Sequence, residues 1–93
     1  MNSIMQTDKA CYICGKTQGL ESHHAFFGNP GRRLSDENGL TVWLCHEHHQ
    51  ETEGVHGRDG AELDLYLKRE AQIAFEMSHT RKEFMIIFGK NYL

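Results

Sequence analysis

The chain is poor in the features that mark several large classes of protein. It has one proline, Pro30, and neither an internal repeat, a low-complexity tract nor a Pro-rich or Ser-rich linker, so nothing in it reads as a tether or an array. Its cysteines number only three, too few and too odd for a disulfide framework, and Cys11 and Cys14 have the spacing of a knuckle that grips metal, which favours a reducing compartment. Basic residues are scarce as well. Against 13 Asp and Glu stand 10 Lys and Arg, a net charge of -3, which argues against tight unspecific DNA binding because that affinity comes from neutralising phosphates. Met1 to Ala10 carries Asp8 and Lys9 and lacks an apolar core of signal-peptide length, so neither a secretion signal nor a membrane span is expected there, and the protein is read as cytoplasmic.

What is present fits one small unit. The 93 residues suffice for a single domain over 1–93, with a metal core over 11–57 and C-terminal helices over 61–77 and 81–88. So short a chain, only 39% hydrophobic, gains from a staple, and its three Cys and seven His are the candidates.

Local patterns place these residues on elements. Leu20 to Phe27 reads as a short extended segment with His23 and His24 in its middle, and Leu40 to Leu44 is rich in β-formers. Between them Gly28-Asn29-Pro30-Gly31 predicts a turn or an exposed loop. From Cys45 the sequence suits a short helix that stops at Gly54. Leu63, Tyr66, Leu67, Ala71, Ala74 and Phe75 recur at helical spacing within 61–77, and Thr80 with Glu83 forms a capping-box pattern ahead of Phe84, Ile87 and Phe88, with Gly89 as the stop. Both helices read as core on one side and solvated on the other.

Cys11-x-x-Cys14 and Cys45-x-x-His48 are two ligand pairs, each able to hold one side of a tetrahedral ion, and thiolate with imidazole suits zinc. Four protein ligands leave no open position, so this site would be structural. His23, His24, His46, His49, His56 and His79 are left over. Adjacent residues of a strand face opposite ways, so His23 and His24 can do different jobs. His49 follows the knuckle ligand His48, and His56 lies in a Gly-rich turn whose flexibility would let it reach back. His23, His49 and His56 could therefore hold one divalent ion with open positions, Mg²⁺ or Mn²⁺ for catalysis, although a second structural zinc could use the same rings. His24 could act as general base. His46 and His79 read as solvated or hydrogen-bonded rings. The loop from Gly28 to Ser35 combines backbone donors, the guanidinium groups of Arg32 and Arg33 and a hydroxyl, a set suited to a phosphate.

From Cys11 to His56 the motifs CYIC, ESHHAFFG, GLTVWLCHEHH and GVHG resemble, in that order, the HNH (ββα-metal) nuclease family. With LSDENGLTVWLC, ELDLYLKREAQIAFE and FGKNYL the chain looks most like short phage and prophage proteins related to the RecA-dependent recombination-enhancement nuclease. The resemblance implies an α+β fold: a small ββα-metal (His-Me finger) unit braced by structural zinc, with two C-terminal helices. It implies a metal-dependent DNA endonuclease or nickase, with His23 as first metal ligand, His24 as general base, His49 at a metal-binding position and His56 as an added ligand. DNA would be the partner, with a recombinase filament or another phage or host DNA-processing protein beside it, in the cytoplasm of a bacterial host. The other reading is a non-catalytic zinc-bound module that binds DNA or protein. The chain departs from the family pattern in its CxxH knuckle, in a Pro30 that comes late after the histidine pair, and in a displaced Asn: Leu40 stands where many members have it, and the nearest is Asn38.

Overall fold

In the computed structural model, which describes residues 3–93, two five-residue strands carry the frame. β1 (Leu20–His24) pairs antiparallel with β2 (Thr41–Cys45), Leu20 opposite Cys45 and His24 opposite Thr41. Alternation in β2 turns Val42 and Leu44 into the core and Trp43 outward, the pattern of a strand covered on one face. Its far edge is covered by the N-terminal segment: Gly39 O accepts from Ile4 N (2.9 Å), Trp43 N donates to Gln6 Oε1 (2.9 Å) and Trp43 O accepts from Tyr12 N (2.8 Å). Edge groups of β2 are thus paired rather than left for another chain.

The order is β1, α1 (Gly31–Glu37), β2, α2 (His46–His49), α3 (Ala61–Glu76) and α4 (Arg81–Phe88), an α+β arrangement of helices around a two-stranded antiparallel sheet. Three expectations need correction. The extended segment ends at His24, where Ala25 N turns to Leu40 O (3.0 Å), instead of running to Phe27. Most of the predicted Gly28–Ser35 loop winds into α1, which gave no periodic signal because only Ser35 on it is fully buried. The helix after Cys45 is one turn, ending at His49 well before Gly54, because the chain folds back on itself there.

α3 is the spine of the interior. Its residues Leu67, Ala71 and Phe75, one helical turn apart, reach two clusters: Leu67 meets Cys11, Val42, Leu44 and Val55, while Ala71 and Phe75 meet Ala25, Phe26, Leu40 and Phe84. α4 starts at the expected capping box, Thr80 Oγ1 accepting from Glu83 N (3.1 Å) and Thr80 N donating to Glu83 Oε1 (2.8 Å), and stops at Gly89 with φ +80°. Among the described residues no helix is long and apolar enough to cross a membrane.

Candidate metal centres

Two groups of potential ligands lie side by side, joined through α2. In the first, Cys11, Cys14, Cys45 and His48 bring their donor atoms within 4.8 Å of one another. The knuckle at Cys11 is a tight turn in which Gly15 N donates to Cys11 O (2.8 Å), with Gly15 at φ +79°, a conformation that glycine adopts at little cost. Sγ atoms of Cys14 and Cys45 are 3.8 Å apart, Cys11 Sγ is 3.8 Å from His48 Nδ1, and Cys45 Sγ is 3.2 Å from it. Ligands at about 2.3 Å (sulfur) and about 2.0 Å (nitrogen) from a tetrahedral zinc stand roughly 3.5–3.8 Å apart, so this Cys3His group can bind a metal such as zinc. Burial raises the Cys11 thiol, but backbone N–H groups of Cys45, Cys14 and Ile13 outweigh it and bring the pKa down to about 6, favouring the thiolate that a metal needs.

The second group is His23, His49 and His56, again with donor atoms within 4.8 Å. One comes from a strand, one from a helix and one from a loop. Ring centroids stand 5.2 Å (His23–His49), 5.3 Å (His23–His56) and 4.8 Å (His49–His56) apart. His23 is 1% exposed, and its buried Nε2 has no hydrogen-bond partner. An unmatched buried polar nitrogen costs about 1–3 kcal/mol, so such an atom in a well-packed site calls for a ligand. Burial above all, with His49 and His56 nearby, holds the His23 pKa down to about 3, and burial likewise lowers that of His56, so both rings are neutral and keep a lone pair for a cation.

The third ring is oriented by a residue that the sequence reading passed over. Glu21 and His23 are two apart in β1 and share a face, and Glu21 Oε1 lies 2.6 Å from His49 Nδ1. Gln50 Nε2 also stands 3.2 Å from that nitrogen, but one Nδ1 cannot donate to Glu21 and accept from Gln50, and the short contact with a carboxylate wins. Nδ1 thus carries the proton and Nε2 the lone pair. Hydrogen bonds from His49 and then His46 hold the Glu21 carboxyl below its ordinary range, so it is an anion throughout the neutral range. The period-2 spacing was the signal that could have found it.

The turn that carries His56 packs against α2. Val55 N donates to His48 O and His56 N to His49 O, both at 3.0 Å, and a Cβ on Gly57 would collide with the carbonyls of Glu51 and Thr52. Gly57 permits this close backbone packing, by which the loop is wound against α2.

His24 is not one of the three converging rings but lines the same depression, with 18% of its side chain exposed and Nε2 3.5 Å from Asp36 Oδ1. Arg32 lines the same depressions as His24, whereas Arg33 is engaged by Glu37 at 3.1 Å. Ser35 is no phosphate ligand: it is fully buried, donating to Phe26 O (2.8 Å) and accepting from Phe26 N (2.9 Å). With Leu40 N bonded to Ser35 O (2.8 Å), this clamp secures the turn that follows the histidine pair. Asn38 instead closes α1, donating from Nδ2 to Leu34 O (2.8 Å), and Leu40 is wholly buried core. His46 is bound by Glu21 (3.1 Å) and Glu51 (3.4 Å), and His79 stacks on Phe75 at 4.2 Å, as bystander rings would. No protein-family model matches the chain, and neither a curated protein nor a solved structure does so.

Proposed function

We propose that the protein is a metal-dependent DNA endonuclease or nickase of the HNH (ββα-metal) type, working in phage DNA metabolism or recombination alongside a recombinase filament or a similar DNA-processing partner. The observation that carries this reading is the convergence of three imidazoles, one with a buried, partnerless Nε2, in a depression that a fourth, the partly exposed His24, also lines. β1, β2 and α2 would be the ββα-metal unit, with zinc on Cys11, Cys14, Cys45 and His48 as its brace.

His23, His49 and His56 would hold a divalent cation, Mg²⁺ or Mn²⁺, which when bound supplies charge stabilisation at a phosphate oxygen. The chain's own residues do the rest. With Nε2 turned to Asp36, His24 has Nδ1 free to take a proton from an attacking water. Glu21 keeps His49 in the tautomer that presents Nε2. Arg32, beside His24, would bind a phosphate and align the scissile strand. Arg33, tied to Glu37, contributes less.

Incubation of supercoiled plasmid with the zinc-loaded protein and Mg²⁺ or Mn²⁺ tests this. Nicked or linear product is expected, and His24→Ala should lower the rate by about 10²–10⁴-fold with the fold intact. Equal cleavage by the two proteins would remove His24 as base. No cleavage by either, across metals and DNA forms, would favour a zinc-bound module that only binds.

A further inference from the structure

Three depressions adjoin along the turn that follows β1. A cavity of about 660 Å³ is lined by Asn29, Arg33 and Asp36, and shares His24, Gly28 and Arg32 with one of about 320 Å³ that holds the tri-histidine cluster. The latter shares Phe27 with a slot of about 200 Å³. Aromatic rings dominate that slot: Phe26, Phe27, Phe88 and Tyr92 border it, with Lys68 among them.

Phe27 and Tyr92 distinguish this slot from an ordinary packing defect. Phe26 is buried, whereas its neighbour Phe27 is 42% exposed, with its ring 4.9 Å from that of His56 and 6.0 Å from that of His23. Tyr92 is held in place from the interior. The fully buried Gln72 accepts from Tyr92 N (2.8 Å) and donates to Asn91 Oδ1 (2.8 Å), and Arg69 Nε donates to Tyr92 O (2.9 Å). A lysine lies over each ring, Lys90 Nζ at 5.2 Å from the Tyr92 centroid and Lys68 Nζ at 4.8 Å from that of Phe27, the latter ammonium also paired with Asp64 Oδ2 at 2.9 Å. Aromatic rings interleaved with cations, next to a depression lined by Arg32 and histidines, make up the chemistry that recognises single-stranded nucleic acid, where bases stack and the backbone follows positive charge.

We propose that the slot between Phe27 and Tyr92 takes one unpaired nucleobase of single-stranded DNA, its adjoining phosphate lying at the tri-histidine cluster. At about 200 Å³ the slot is the smallest of the three depressions, and a base inside a duplex can enter it only after unstacking, at a cost of about a few kcal/mol. With a net charge of -3, the protein has little general attraction for duplex with which to offset that cost. The placing of the phosphate at the tri-histidine cluster rests on the nuclease reading; the binding of the base does not.

The test is fluorescence anisotropy with zinc-loaded full chain and no added Mg²⁺ or Mn²⁺, so that binding is read without turnover. Probes are a short oligodeoxythymidine, the same phosphodiester chain lacking bases, and a hairpin duplex. The thymidine strand should bind roughly tenfold or more tighter than the other two, and Phe27→Ala and Phe27→Leu should each abolish that margin while Phe27→Trp keeps it. Phe27→Leu retains apolar cover, and unchanged thermal melting separates lost stacking from lost folding. Equal affinity for the base-free strand or the duplex, or an unaffected Phe27→Leu, overturns the proposal. Base-dependent binding by a protein that cuts no DNA would leave this inference standing and remove the nuclease reading; cleavage without base-dependent binding would do the reverse.

Discussion

Glu21 and His49 meet at 2.6 Å across the junction of β1 and α2, a carboxylate on the imidazole Nδ1 that leaves Nε2 as the nitrogen able to share an ion with His23 and His56. Such outer partners set both the tautomer and the basicity of a metal-binding histidine. Glu21→Gln should therefore weaken Mn²⁺ binding at the tri-histidine cluster by about 10–100-fold. Zinc content at the cysteine cluster should stay the same, so titration calorimetry with Mn²⁺ and metal analysis together separate this effect from general unfolding.

Cys14 is exposed while Cys11 and Cys45 are buried, so its substitution probes metal rather than packing. Cys14→Ser should lose bound zinc and lower the melting temperature steeply, since a metal's binding free energy in a small domain appears as folding free energy. Chelator treatment of the unaltered protein should reproduce the change. A Cys14→Ser protein that melts like its parent would show that the cluster does not brace the fold.

Gly57→Ala should be among the more damaging single-methyl additions in the chain. The added Cβ meets the backbone carbonyls of Glu51 and Thr52, which cannot swing aside as a flexible side chain could. A cost at or above the roughly 1–3 kcal/mol typical of overpacking is expected in chemical denaturation, with loss of Mn²⁺ affinity because His56 hangs on the same loop.

The capping box of α4 offers a pH signature. Hydrogen bonds from Thr80, first its backbone N–H and then its hydroxyl contact, hold the exposed Glu83 carboxyl below its ordinary range. A group whose folded pKa is depressed stabilises above its unfolded pKa and loses that contribution as pH falls through the folded value. The difference in melting temperature between the parent and Glu83→Gln should accordingly be full at neutral pH and shrink once the solution is more acidic than the carboxylate range. Thr80→Ala, which removes the other half of the box, should cost about 1 kcal/mol at neutral pH.

Much of the frame was legible because its signals are local. Leu67, Ala71 and Phe75 sit at helical spacing and form one buried row of α3, and the Thr80–Glu83 pair marks the start of α4 within its own first turn. α1 was hidden because its role is carried by one buried hydroxyl, Ser35 on the Phe26 backbone, and not by an apolar stripe. The close approach at Gly57 beside His56 was not legible because glycine serves equally for conformational freedom and for tight packing, and only the packed neighbours show the latter.

By itself the sequence determined the two chelating pairs, Cys11 with Cys14 and Cys45 with His48, since the reach of residues three apart depends on little beyond their own backbone turn. It also determined which histidines were candidates for the rest. Tertiary structure decided that His23, His49 and His56 lie around one point, that Glu21 stands behind His49, that Ser35 faces inward and that Phe27 stays exposed between the cluster and an aromatic slot. Those relations join a strand, a helix and loops far apart in the chain. Their geometry is set by hydrogen bonds and core packing between elements, which residue spacing does not encode.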